Sequence, residues 1–98
     1  PLAIPCGMLS AAIACGNTAI LKPSSQTPVI AAKFVQLLLE AGVPAGVVNY
    51  LPADGATTGE YLVTHPDVHI IVFTGSRDVG CRIRQLATEH MNEQKHVR

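Results

Sequence analysis

The first stretch of the chain, Leu2 to Cys15, is rich in Ala, Leu, Ile and Met, and Gly16-Asn17 follows it. Such residues suit a buried helix, and the Gly-Asn pair supplies the left-handed stop that a helix end favours, so a helix is expected from about Pro5 to Cys15. Thr18 to Lys22 reads as a short strand ended by Pro23, which has no N–H to donate to a ladder, and polar Ser24 to Gln26 forms the loop beyond its carboxyl end. Thr27-Pro28 is a cap residue followed by proline at the first helical position. Ile30, Phe34, Leu37, Leu38 and Ala41 then recur at helical spacing as the inner face of a helix that Gly42 and Pro44 terminate.

The second half repeats the alternation. Val47 to Leu51, stopped by Pro52, is a second strand, and Asp54-Gly55 opens the connection beyond it. Leu62 and Val63 give a short helix its apolar face before His65-Pro66-Asp67 breaks it. His69 to Phe73 is the most strand-like run of the chain, being β-branched, aromatic and short. Thr74-Gly75-Ser76 is a tight turn, and Val79, Ile83, Leu86 and His90 mark the inner face of a last helix. The residues from His90 to Arg98 turn polar with no closing element, and the chain opens on Pro1-Leu2, so both ends read as cut from something longer. The order is a helix followed by β-α-β-α-β-α, with connections long enough for parallel pairing. The expected class is α/β, a partial Rossmann-like parallel sheet.

Composition narrows the picture. The chain has 98 residues, 48% of them hydrophobic and 14% charged, room for one modest core with strands covered on both faces. Seven Lys+Arg balance seven Asp+Glu, so charge argues for neither nucleic acid nor a membrane surface as partner. Cys6, Cys15 and Cys81 are odd in number and form no CxxC pair, which points to reduced, buried thiols of an intracellular protein. The longest apolar stretch, around Met8 to Cys15, is shorter than the ~20 residues a bilayer needs. A soluble chain of the cytoplasm, or of the mitochondrial matrix in a eukaryote, is expected.

In open parallel sheets a ligand lies beyond the carboxyl ends of the strands, which selects Lys22 to Gln26, Pro52 to Gly59 and Thr74 to Gly80. Thr74-Gly75-Ser76 would present N–H groups and a hydroxyl at a helix N-terminus, an arrangement that holds pyrophosphate. It reads at least as readily as a plain serine cap after a glycine turn. Lys22, at the end of a strand, has an ammonium for ribose hydroxyls or phosphate, or simply reaches solvent. Gly55 and Gly59 have the spacing of part of a glycine-rich turn, but no full GxGxxG is present and Asp54-Gly55 alone is commonly an ordinary turn. The four histidines have no metal-ligand spacing, so no metal is expected. Cys81, followed by Arg82 in a first helical turn, is the one thiol worth weighing as a nucleophile, and with no strong base in view it is read as inert.

Gly16-Asn17-Thr18, Leu21-Lys22-Pro23-Ser24, Gln26-Thr27-Pro28, Glu40-Ala41-Gly42-Val43-Pro44 and Phe73-Thr74-Gly75-Ser76 fall in the order and spacing of aldehyde dehydrogenases, and the resemblance covers nearly the whole chain. Pro1-Leu2-Ala3-Ile4-Pro5, His65-Pro66-Asp67 and the run from Phe73 to Gly80 most resemble the subgroup that oxidises glutamate semialdehyde, the 1-pyrroline-5-carboxylate dehydrogenases of proline breakdown.

The resemblance implies that residues 1–98 are a fragment of the dinucleotide-binding domain, with the catalytic and oligomerisation domains absent. It implies NAD as cofactor, with NADP left open, and a small aldehyde as substrate of a homo-oligomeric parent. Lys22 would contact the adenosine ribose and Ser76, with Gly75, the pyrophosphate; Ser24, Ser25, Gly55 and Gly59 complete the candidate cofactor-binding set. Ser25 stands where many NAD-preferring members have a glutamate. No catalytic residue is expected here: the family's nucleophilic cysteine, oxyanion-holding asparagine and water-activating glutamate have no counterpart among these residues, and the three cysteines are not at the nucleophile's position. Alone, the fragment should be inactive and prone to self-association through open sheet edges. Two rivals are a non-catalytic nucleotide-binding or interaction module of this length, and an NADPH-dependent reductase of the glutamyl phosphate type. The Lys22-Pro23-Ser24 and Phe73-to-Gly80 segments match the reductase less well.

Overall fold

A computed structural model of the chain describes residues 1–90 and 96–98. They fall into two compact units, Pro1–Ala53 and Asp54–Arg98.

The first unit holds helix α1 (Ala3–Ala14), strand β1 (Ala19–Leu21), helix α2 (Pro28–Glu40) and strand β2 (Val48–Tyr50). Both helices end in the same way. Gly16 (φ 74°) and Gly42 (φ 101°) take the left-handed conformation, and the chain folds back so that Asn17 N–H donates to Ala12 O and Val43 N–H to Leu38 O, each at 3.0 Å. These bonds satisfy carbonyls that a helix end leaves open, and glycine adopts the required φ without a steric cost. Neither helix is capped by a side chain at its start; Thr27 occupies the cap position of α2, but its hydroxyl makes no capping bond. β1 and β2 pair in parallel, Ala19 opposite Val48 and Leu21 opposite Tyr50, with α2 as the crossover. Leu9 of α1, Val35 of α2 and Val48 of β2 form the buried centre, and Phe34, Leu38 and Val43 pack around it. The Tyr50 hydroxyl donates to Pro28 O at 2.8 Å, tying the end of β2 to the start of α2.

The buried stripe of α2 differs from the expected one. Ala31 and Val35 are buried, whereas Ile30 and Leu37 are 37% and 61% exposed. Lys33, Gln36 and Glu40 share the outer side of the helix, and Ala31, Val35 and Leu38 stand opposite them toward the core, while Ile30 and Leu37 lie nearer the polar side. The three cysteines are also exposed rather than buried. In α1 only Leu9 is buried, because a single face of this apolar helix meets the core and Cys6 and Cys15 lie off it.

In the second unit a wide helical turn, Gly55–Gly59, runs into helix α3 (Glu60–Thr64), followed by strand β3 (Ile70–Ile71), helix α4 (Arg77–Glu89) and strand β4 (His96–Val97). Val63, Leu86 and Ala87 are its buried centre, with Ile71 and Ile83 packed against them. Ile83 and Leu86 thus face inward as expected, but Val79 is 50% exposed and His90 lies exposed at the end of α4. The expected strand from His69 to Phe73 narrows to two residues. It pairs in parallel with β4, Ile70 opposite His96 and Ile71 opposite Val97. The expectation that the polar tail brings no further element is therefore corrected at its end; residues 91–95 lie outside the described residues. A strand is defined by backbone partners as much as by side chains, and His96-Val97 offers N–H and C=O groups that composition does not reveal. The strands form two separate two-stranded parallel ladders, β1-β2 and β3-β4, where a single sheet of three was expected.

Candidate functional site

The segment after β1 is built by local bonds. Pro23 is buried and ends the strand; Ser24 Oγ then accepts from Gln26 N–H at 3.3 Å, and Ser24 O accepts from Thr27 N–H at 3.1 Å. This closes a four-residue turn that delivers Pro28 to the first turn of α2, with Ser24 and Ser25 exposed at its tip. Lys22 is half-buried, and its ammonium donates to Pro23 O at 2.9 Å. An ammonium carries three donors, so two remain for other acceptors beside the turn.

Asp54 starts the wide helical turn. Its carboxylate accepts from Thr57 N–H and from Thr57 Oγ1–H, each at 2.7 Å. The backbone bond first, then the hydroxyl bond, hold the Asp54 carboxyl below the usual aspartate range. Gly59 N–H donates to Asp54 O at 3.3 Å, five residues back, which is what makes the turn wide. Gly55 and Gly59 thus stand inside one capped helical turn, and neither has positive φ.

Ser76 caps α4 in extended conformation (φ −69°, ψ 151°), its Oγ accepting from Val79 N–H at 3.3 Å. Gly80 N–H donates to Ser76 O at 3.0 Å, the first ordinary helical bond. The N–H groups of Arg77 and Asp78 precede that bond and face outward from the helix start, as in any α-helix. Asp78 lies in the first turn, where a carboxylate favours the helix dipole. Gly75 adjoins the ring of Phe73, whose own N–H is held by Arg98 O at 3.0 Å.

Of the sequence-derived candidates, the structure brings Lys22, Ser24 and Ser25 together in one turn of the first unit. It sets Gly55 and Gly59 in one helical turn and Gly75 and Ser76 in another, both in the second unit. Two participants escaped the sequence reading. Thr57 engages Asp54 twice, and an Asp-x-x-Thr spacing at the start of a helix is the signal that marks such a cap. Phe73 is expected as a strand end and as the start of the Phe73-to-Gly80 motif, and what the sequence does not show is its ring lying against Gly75. Among the described residues no cluster of His, Cys, Asp or Glu could hold a metal ion, and no helix is long and apolar enough to cross a membrane.

Residues 1–96 match the family model described as the aldehyde dehydrogenase family. The chain is 57% identical over 89 residues to a 1-pyrroline-5-carboxylate dehydrogenase of Bacillus thuringiensis, an alignment covering 91% of the chain and 17% of that protein. A relative of the same name from Bacillus mycoides is 56% identical over the same length. The chain thus spans about a sixth of the curated relatives it matches, 17% of their length. Among solved structures, a variant of Bradyrhizobium japonicum proline utilization A superposes with a TM-score of 0.92 at 38% identity, over 99% of this chain and 10% of that one. A variant of P. syringae indole-3-acetaldehyde dehydrogenase in complex with NAD+ and IAA superposes with a TM-score of 0.90 at 42% identity, over 99% and 19%.

Proposed function

The chain belongs to the aldehyde dehydrogenase family, and from that premise we propose that it is part of the dinucleotide-binding domain of an enzyme oxidising an aldehyde to a carboxylate with NAD(P). The substrate we assign is glutamate semialdehyde, in equilibrium with 1-pyrroline-5-carboxylate, and the product glutamate. The observation that carries this reading is the 57% identity to 1-pyrroline-5-carboxylate dehydrogenase over 91% of the chain. The Rossmann-like sheet belongs to the same proposal: β1-α2-β2 is a parallel crossover unit, and further strands of the whole protein would extend it. Val29, Leu37, Tyr61 and Ile70, 72%, 61%, 63% and 56% exposed, are apolar surface of the kind that a longer chain covers.

Each unit by itself offers donors of the kind that a dinucleotide accepts. When bound, the nicotinamide supplies the acceptor for the hydride that leaves the aldehyde carbon. Lys22 would hold the adenosine ribose, since its bond to Pro23 O leaves ammonium protons free to donate. Ser76 Oγ accepts from Val79 N–H, which leaves its own proton to donate to a pyrophosphate oxygen beside the outward N–H groups of Arg77 and Asp78. Arg77 and Asp78 cancel in formal charge, so the attraction at this turn comes from N–H groups and hydroxyl rather than from net charge. Ser25 is neutral and repels no 2′-phosphate, so this position accepts NADP as well as NAD. The chemistry at the aldehyde is carried by residues of the parent enzyme outside this chain.

The test is steady-state kinetics of the full-length enzyme containing this chain, with 1-pyrroline-5-carboxylate and a panel of short aldehydes. Lys22→Ala and Ser76→Ala should each raise KM for NAD about tenfold with kcat little changed, the pattern of lost cofactor binding. An unchanged KM for NAD in both variants would reject the site, and a preference for another aldehyde would reject the substrate.

A further inference from the structure

We propose that Phe73 is a positioning residue for the α4 N-terminus: its ring, seated between Gly75 and Gly80, sets where the Thr74–Ser76 turn holds the Ser76 hydroxyl. This rests on the reading of that turn as the cofactor's pyrophosphate contact. Glycine is needed in a protein for one of two reasons, a backbone angle or a shortage of space. At Gly75 the angle is excluded, because the positive-φ glycines are Gly16, Gly42 and Gly46. Space is the cause. A Cβ on Gly75 would stand 2.6 Å from Phe73 Cζ and 3.2 Å from Cε2, well inside the roughly 3.5–4.0 Å at which carbon atoms attract. A Cβ on Gly80 would stand 3.4 Å from Cε1 and 3.6 Å from Cδ1, which is ordinary contact.

The ring therefore stands against the turn before Ser76 and within a methyl's reach of the first turn of α4 after it. The Phe73 backbone is itself held, its N–H donating to Arg98 O at 3.0 Å, so the ring has a fixed base from which to press on the turn. Ser76 lies between the two glycines in sequence, and its hydroxyl bond with Val79 N–H, at 3.3 Å, is long for a cap. So long a bond holds the hydroxyl loosely, and the placement of the turn decides where it lies. Glycine at position 75 exists to admit Phe73, which separates this inference from the alternative that it exists to let the cofactor's phosphates approach the backbone.

The test uses the full-length enzyme carrying Gly75→Ala, Phe73→Leu, Gly80→Ala and the double substitution Phe73→Val with Gly75→Ala, reading KM for NAD, kcat and the thermal midpoint. Gly75→Ala should raise KM for NAD roughly tenfold with kcat little changed, and the double variant should fall back to the severalfold loss of a missing ring, because the smaller side chain clears the new methyl but no longer supports the turn. Phe73→Leu alone should raise KM by that same severalfold factor, and Gly80→Ala should leave it unchanged. A tenfold Gly75→Ala defect that persists undiminished in the double variant overturns the proposal, since the methyl then collides with something other than the ring; the nucleotide reading would stand. A flat KM for NAD in every variant, with the midpoint falling in Gly75→Ala and recovering in the double, overturns the positioning role together with the cofactor reading of the turn. Should Gly75→Ala fail to fold, Phe73→Leu decides: an unchanged KM there overturns the proposal.

Discussion

The two units reach stability by different routes. In Pro1–Ala53 the only charged residues are Lys22, Lys33 and Glu40, neither helix has a side-chain cap, and a centre of Leu9, Val35 and Val48 draws on two helices and a strand. In Asp54–Arg98 the charges are dense, the helical segments start on the caps Asp54 and Ser76, and Arg82 meets Glu60 at 3.1 Å between α4 and α3. Its centre is smaller, with one leucine, one valine and one alanine buried. The first unit is held by tertiary burial, whereas the second relies more on local polar bonds. The exposed Arg82–Glu60 pair adds little, since both side chains are about half exposed and water screens them.

This contrast is sharpest in the cores. Leu9→Ala should cost the full-length protein about 3 kcal/mol in denaturant unfolding, and Leu86→Ala about 2 kcal/mol, because fewer buried neighbours surround the second cavity. A larger loss at Leu86 would reverse the contrast. Helix ends give the next effect. Gly42→Ala puts a Cβ into a φ of 101° with open space around it, so its cost is conformational alone, about 1–2 kcal/mol. Ser76→Ala removes a side-chain cap at about 1 kcal/mol. If Gly42→Ala is neutral while Ser76→Ala is not, the first unit is also held locally.

The smallest effect is pH-dependent. Thr57 holds the Asp54 carboxyl below its ordinary value of 3.8, so the unfolded chain takes up the proton more readily than the folded one. The stabilisation is full above that value and is lost as pH falls through the lower, folded pKa. Asp54→Asn keeps an oxygen acceptor but no titrating charge. Its stability relative to the unsubstituted protein, measured by unfolding from neutral pH downward, should be constant above about pH 4 and shift in the variant's favour below it. A difference constant across the whole range would show that the Thr57 bonds do not depend on the charge.

Much of the element order was legible because local rules encode it. Pro28 at a helix start, Gly16 and Gly42 at helix ends and Ser76 before α4 each act through their own backbone, and all stand where the sequence places them. The motif series likewise pointed to the family that residues 1–96 match. In α2 the spacing of apolar residues alone points to a stripe through Ile30 and Leu37, whereas the polar series Lys33, Gln36 and Glu40 marks the outer face and leaves Ala31, Val35 and Leu38 opposite it, so the signal for the buried side lay in the polar positions. The cysteines lie exposed for two reasons: α1 is apolar all round, so composition promised burial of Cys6 and Cys15 that only a covering surface can supply, and Cys81 stands on the side of α4 opposite Ile83, Leu86 and Ala87.

Proline, glycine and capping groups acting on their own backbone set the helix ends at Gly16 and Gly42, the helix starts at Pro28 and Ser76, the parallel run of β1 and β2 across α2, and the loop after each strand. Packing across the fold selected the pairing of β3 with His96-Val97, the one buried face of the all-apolar α1, and the Phe73 ring in the space a Cβ at Gly75 would need. Each of those outcomes depends on atoms distant in the chain, or on a side-chain direction, competing for the same partner or volume. Residue identity alone does not rank such competitors.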